Sequence, residues 1–138
     1  MSGYRLLAHT ADMGIEATGA SPQEVFVAAA RGLQAMMFSR APIAAVREVP
    51  VTVHGTDQAE LLVAWLGEIL YLFEVQQLAP SDYIIDDIRH DTLNGRVMGE
   101  AFDPDRHPIE REVKAITYHQ VRVWKEKSGW RARVYVDL

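Results

Sequence analysis

The segment WRARVYVDL, residues 130–138, alternates apolar and polar side chains and is the clearest β-strand pattern in the chain. One face is predicted to carry Trp130, Ala132, Val134 and Val136, and the other Arg131, Arg133, Tyr135 and Asp137. The preceding stretch AITYHQVRVW, residues 115–124, is its predicted hairpin partner through the turn KEKSG. That partner strand is expected to place Ile116, Tyr118, Gln120 and Arg122 on one face. The hairpin therefore predicts an antiparallel sheet at the carboxyl end of the chain.

Two segments are typical of capped, amphipathic helices. In SPQEVFVAAARGLQAMMFS, residues 21–39, Ser21 is the predicted N-cap, Pro22 takes the first helical position, and Glu24 completes a capping box. The second helix is predicted to begin after Asp57, with Glu60 three residues later. Its apolar stripe is wide, which indicates a central core helix.

Most of the remaining chain is predicted to form strands. EVPVTVHG (48–55) alternates, and DYIIDDIRH (82–90) is expected to pair with TLNGRVMGEAF (92–102) as a hairpin. The polar stretch FDPDRHPIEREV (102–113) is expected to be a long loop. The sequence therefore predicts an α+β fold: a single domain over residues 1–138, with a mostly antiparallel sheet and two main helices packed on it.

Composition and motifs exclude several functions. The chain of 138 residues has no cysteine, so disulfides, thiolate zinc sites and cysteine nucleophiles are impossible. It has no P-loop, GxGxxG, HExxH or GxSxG motif. No secretory signal and no apolar run of about 18 residues is visible, so a cytoplasmic location is expected. With 19 acidic and 14 basic residues, the chain is not expected to bind nucleic acid tightly by itself, and a protein or a metal is the expected partner.

The motif HTADMG, residues 9–14, places Asp12 between two apolar stretches. An aspartate before glycine commonly forms an Asx-turn, and Asp137 has an equally simple interpretation as a polar residue on a fraying last strand. If the two strands met, however, Asp12, Asp137 and the terminal carboxylate of Leu138 would crowd one point. Such a cluster favours a hard, oxygen-seeking cation. The spacing alone leaves both interpretations open.

The motif VKAITYH, residues 113–119, brings together Lys114, Tyr118 and His119. A base, a phenol and an imidazole at the start of a strand are compatible with a functional cluster. They are equally compatible with an ordinary strand that has a half-buried aromatic residue and a surface histidine.

Four stretches together resemble the archease family: HTADMGIEA, LLVAWLGEILYLFE (61–74), GEAFDPDRHPIEREVKAITYH (99–119) and WRARVYVDL. The resemblance implies a protein cofactor, not an enzyme. Its expected partner is the RtcB-type RNA ligase, which seals tRNA exon halves with GTP and a divalent metal. The cofactor would promote attachment of GMP to a ligase histidine and allow repeated turnover in tRNA splicing or RNA repair.

The resemblance also implies which residues matter. The metal ligands are expected at Asp12, Asp137 and the carboxyl terminus at Leu138, with Ca²⁺ or Mg²⁺ as the cation. Residues expected to contact the partner or support these ligands are His9, Glu100, Lys114, Tyr118 and His119. Two alternatives stay open: a metal-dependent hydrolase with His119 as base, and a chaperone-like modulator of a tRNA-modifying methyltransferase.

Overall fold

The computed structural model describes residues 2–8 and 12–138, which form eight strands and two α-helices. In chain order these are β1 Gly3–Ala8, β2 Asp12–Gly19, α1 Pro22–Phe38, β3 Arg47–His54, α2 Gln58–Glu74, β4 Leu78–Ile88, β5 Thr92–Ala101, β6 Ala115–Ile116, β7 Arg122–Glu126 and β8 Gly129–Asp137. The predicted α+β class is confirmed, as are the loop over residues 102–113 and the β4–β5 hairpin.

Both helices begin where their capping residues predict. The Ser21 hydroxyl accepts a hydrogen bond from the Glu24 amide at 3.2 Å, and Asp57 accepts one from the Glu60 amide at 2.9 Å. These contacts satisfy amide groups that the first helical turn leaves without partners. Neither helix in the described residues is long and apolar enough to cross a membrane.

The strands form two sheets, whereas the sequence suggested one. The first sheet has the order β1-β2-β8-β6, with β7 also pairing to β8, and the second has the order β3-β5-β4. Helix α1 packs against β1, β2 and β4, so it contacts both sheets, while α2 packs mainly against β3 and β4. The physical reason is the width of the apolar surface of the helices. The fully buried side chains extend too far round each helix for one sheet to cover them. They include Phe26, Leu33, Leu61, Leu62, Trp65 and Leu66.

The prediction of one continuous strand over residues 115–124 is wrong. Only Ala115–Ile116 and Arg122–Glu126 pair with β8, and Gln120 between them has φ of 53°. The Thr117 amide and hydroxyl both donate to the Tyr135 carbonyl, at 3.0 and 2.9 Å, which ends the regular ladder there. A left-handed residue cannot continue an extended strand, so the chain leaves the sheet and Tyr118 lies 64% exposed.

The last strand itself has the faces that its alternation predicts. Ala132, Val134 and Val136 are at most 1% exposed and belong to the core. Its β7 neighbour is reached through a tight turn that ends at Gly129, whose φ of 139° favours glycine. The opposite face of β8, which carries Arg131, Arg133, Tyr135 and Asp137, is the outer face of the first sheet. Of these four residues only Tyr135 is buried, at 8% exposed.

Candidate functional site

Asp12 and Asp137 are directly opposite each other in the antiparallel pairing of β2 with β8. Residues opposed in this way have side chains on the same face, with Cβ atoms about 5 Å apart. Asp12 is the first residue of β2 and Asp137 the last of β8, so both lie at the same end of the sheet. The structure therefore brings together two residues that are 125 positions apart in the sequence.

Leu138 follows Asp137 and is held in place. Its side chain is partly buried and packs against the hydrophobic core. This contact fixes the carboxyl end of the last strand, which would otherwise fray. We call the paired strand ends with Asp12, Asp137 and Leu138 the acidic tip.

The acidic tip has the donor chemistry of a hard-cation site. Its donors are carboxylate oxygens, which Ca²⁺ and Mg²⁺ prefer. Neither aspartate forms an ion pair within residues 2–8 and 12–138. Over the same residues, no three side chains of His, Cys, Asp or Glu are grouped to hold a metal, so a site here needs a further donor besides the two aspartates.

The segment before β6 completes the surroundings of Asp137. The Lys114 amide donates to the Asp137 carbonyl at 2.8 Å, and Ala115 pairs with Asp137 in the β6–β8 ladder. Lys114 is exposed. The strand end that carries Asp137 is thus paired on both sides, by Asp12 and by Ala115.

Two residues inward from the tip, Tyr135 covers Gly14. A Cβ atom at Gly14 would lie 2.9 Å from the Tyr135 ring, so glycine makes room for the phenol there. The His119 ring lies 6.1 Å from the Tyr135 ring. Of the candidate residues for partner contact, Lys114, Tyr118 and His119 therefore lie on the segment that borders the acidic tip.

The other two candidates differ. His9 lies outside the described residues. Glu100 is on β5 of the second sheet, and its hydrogen bonds are made to the Ala44 amide at 2.7 Å, to Arg106 and to the ring of His107. The structure does not bring Glu100 to the acidic tip, but uses it to anchor the long loop.

The same contacts explain the electrostatics of Glu100. The Ala44 amide and then the Arg106 guanidinium stabilise its carboxylate, which lowers the pKa of Glu100 from 4.5 to about 2. His107, which is fully buried, accepts from the Asp103 amide at 3.0 Å, so its other ring nitrogen donates to Glu100. Sequence reasoning missed this anchor, although DPDRHP in a long polar segment gave a signal for it.

A second buried carboxylate, Glu16, was also missed. Glu16 is 5% exposed and lies on the outer face of the first sheet between Arg5 of β1 and Arg133 of β8. Burial acts to raise its pKa, but hydrogen bonds from Arg133 and Arg5 outweigh burial and leave the pKa of Glu16 below its usual value. Glu16 therefore stays ionised and holds both guanidinium groups on this face.

Fold and site define a class of small α+β domains in which two sheets enclose two helices and the ends of β2 and β8 meet at a pair of carboxylates. The model of the archease protein family matches residues 4–138. The archease protein of Methanosarcina barkeri is 34% identical to the chain, and the match covers 98% of this chain and 95% of that protein. The archease protein of Pyrococcus furiosus is 35% identical, and the match covers 94% of each. The solution structure of protein 1598 from Methanobacterium thermoautotrophicum is similar, with a TM-score of 0.84, 32% identity and 99% coverage of both chains. The chain belongs to the archease family.

Proposed function

We propose that this protein is an accessory factor that activates an RtcB-type, GTP-dependent RNA ligase in tRNA splicing or RNA repair. It would promote transfer of GMP to the ligase and allow the ligase to turn over repeatedly. The working part is the acidic tip, which would hold one Ca²⁺ or Mg²⁺ ion. This assignment implies a cytoplasmic protein that is not itself an enzyme.

The observation that carries the proposal is the direct pairing of Asp12 with Asp137 at the tip of the sheet. Like charges directly opposite each other destabilise a sheet. A fold that places them there gains nothing in stability from them, so a ligand for the pair gives the simplest physical account. A divalent cation would supply the positive charge that offsets their repulsion.

The surroundings of the tip favour a protein partner. Asp137 at the end of β8 is exposed, and so is Lys114, whose amide donates to the Asp137 carbonyl. Tyr118, four residues after Lys114, is also exposed. An exposed strand end can enter the cleft of another protein. The net charge of −5 is complementary to a protein that binds RNA and GTP through basic groups.

Catalysis in this proposal belongs to the ligase. The chain has no nucleotide-binding loop motif and no cysteine. Its own residues would bind the cation, present it at a fixed point, and dock on the ligase. Asp12 and Asp137 would hold the ion, with the terminal carboxylate expected at Leu138 as a third donor. The packed side chain of Leu138 would keep that end of β8 in place.

The test is transfer of labelled GMP from GTP to the ligase of the same organism, followed with and without this protein. Wild-type protein should speed the transfer, and Asp12→Ala and Asp137→Ala should remove most of the stimulation. Asp105→Ala is the matched control, because Asp105 is an exposed aspartate in the long loop.

Extending the chain beyond Leu138 is a sharper variant of the same test. The extension replaces the charged carboxylate by a neutral amide carbonyl and changes little else. Full stimulation by the extended protein would remove Leu138 from the site. If the wild-type protein leaves GMP transfer unaltered, the ligase proposal fails, and a screen for metal-dependent hydrolysis becomes the next experiment.

A further inference from the structure

The outer face of the first sheet carries four arginines, on strands β1, β7 and β8. Arg5 of β1, Glu16 of β2, Arg133 of β8 and Arg122 of β7 are in register in one row across the sheet. The next row contains Thr18, Arg131 and Trp124. We call the four residues Arg5, Arg122, Arg131 and Arg133 the arginine belt. With strands about 4.8 Å apart, the belt is about 14 Å long from β1 to β7.

The belt is positive although the chain is acidic. The carboxylates on its two rows or at their edge are Glu16, which binds Arg5 and Arg133, and Glu126, which pairs with Arg131. Four arginines against two glutamates leave an excess of positive charge on a chain whose net charge is −5. The asymmetry points to a ligand with negative charge.

These arginines are held in place but retain free donors. A guanidinium has five N–H donors, and within residues 2–8 and 12–138 Arg133 uses only Nε and Nη2, both on Glu16. Its side chain is 42% exposed, and that of Arg5 is 69% exposed. Groups fixed by one carboxylate and open to solvent on the other side lose little entropy when they bind an anion.

Arg122 adds an aromatic contact. Its guanidinium lies 4.4 Å from the centroid of the Trp124 ring, and Arg133 lies 6.0 Å from the same ring. Arg122 has no ion pair in the part of the chain that the structure describes. Arginine beside an aromatic ring is a combination that binds both phosphates and unstacked bases.

A cleft opens on the same face. It has a volume of about 450 Å³ and is lined by Arg5, Glu16, Thr18 and Arg131, together with the start of β1. Since both oxygens of Glu16 accept hydrogen bonds from arginine, its charge is neutralised at the base of the cleft. Besides Glu16, the charged side chains that line the cleft are Arg5 and Arg131, and its volume has room for a phosphate and its sugar.

We propose that the arginine belt binds a single-stranded stretch of RNA. The arginines of the belt themselves favour a phosphate ligand, and the choice of RNA rests on the proposed function. The belt and the acidic tip share one face of one sheet, with Arg133 four residues before Asp137 on β8, or about 14 Å. RNA on the belt would thus lie beside the tip. Binding is weak, with a Kd of about 10⁻⁴ to 10⁻⁵ M at low salt, in accord with the acidic total of the chain.

The test is fluorescence anisotropy of a labelled oligouridine of about twelve nucleotides with the full chain alone, at about 20 mM and 200 mM KCl. Binding should weaken steeply with salt, with a slope of about −2 to −3 in a plot of log K against log salt. Arg122→Ala should weaken binding about three- to ten-fold and reduce the magnitude of that slope by about 0.7. Arg122→Lys should keep the slope but bind more weakly, because it retains the charge and loses the planar stack.

The matched control is Arg47→Ala, an exposed arginine on β3 of the other sheet, which should bind like wild type. No anisotropy change at low salt, or equal losses in Arg122→Ala and Arg47→Ala, would overturn the proposal. If Arg122→Ala instead weakens only the complex with the ligase, the belt binds an acidic protein surface and not RNA. The binding assay contains no ligase. A failure to bind RNA would therefore overturn the role of the belt without affecting the test of GMP transfer to the ligase.

Discussion

Replacing Asp137 by asparagine should stabilise the metal-free protein. Asp12 and Asp137 are opposed across β2 and β8, and two unit charges about 5 Å apart in a water-like environment repel by about 1 kcal/mol. Asparagine keeps the shape and removes the charge. For a chain of this length, about 1 kcal/mol corresponds to a rise in Tm of about 4 °C.

The same variant should lose its response to cations. At Ca²⁺ concentrations about 100 times the Kd, binding stabilises the wild-type fold by about 2.7 kcal/mol, which raises Tm by about 10 °C. Thermal unfolding in EDTA and across a Ca²⁺ or Mg²⁺ titration measures both effects in one experiment. Asp137→Asn should begin with the higher Tm and show little further rise.

Asp105→Asn is the control, because it removes an exposed carboxylate from the long loop and leaves the tip unchanged. It should respond to cations as wild type does. If Asp137→Asn lowers the Tm of the metal-free protein, or keeps the full rise with Ca²⁺, then Asp12 and Asp137 do not form a repelling pair that a cation relieves.

The two buried carboxylates and the glycine beside the tip give three further expectations. Glu16→Gln should lower the free energy of unfolding in urea by about 1–3 kcal/mol, whereas Arg5→Ala should lower it by less than about 1 kcal/mol, because the Arg5 side chain is 69% exposed. Equal losses in the two variants would contradict the role given to Glu16. The pKa of Glu100 is lowered from 4.5 to about 2, so the stabilisation by its carboxylate is complete above pH 4.5 and is lost as the pH falls toward 2. The difference in unfolding free energy between wild type and Glu100→Gln should therefore shrink over that range, and a constant difference would refute this. Gly14→Ala should lower both Tm and cation affinity, since the alanine Cβ would lie 2.9 Å from the Tyr135 ring. A cation affinity that calorimetry finds unchanged would show that Gly14 does not support the tip.

The sequence predicted local structure well where local chemistry decides it. Ser21 and Asp57 cap helices because their side chains satisfy nearby amides, and no distant contact is needed for that. The alternation in β8 likewise follows from burial on one face. The prediction of one strand over residues 115–124 was wrong because Gln120 has a left-handed backbone conformation that interrupts it. Alternation of apolar and polar residues contains no information about such a conformation.

The site depended on register, which the sequence does not reveal. Whether Asp12 meets Asp137 is decided by the pairing of β2 with β8, and a shift of one residue would place one of them on the other face. The same applies to Glu16, which is an ordinary glutamate in the sequence until β1 and β8 bring Arg5 and Arg133 to it. The resemblance to archeases supplied the expectation for the tip, and the strand register shows that its two aspartates are adjacent.

The most direct test of the central claim is a time course of RNA ligation by the ligase of the same organism, with RNA substrate in large excess and this protein at substoichiometric amounts. With the wild-type protein, ligation should continue through many turnovers. Without the protein, or with Asp12→Ala, ligation should slow after about one turnover per ligase. Equal progress curves in the presence and absence of wild-type protein would contradict the claim that the acidic tip serves a ligase.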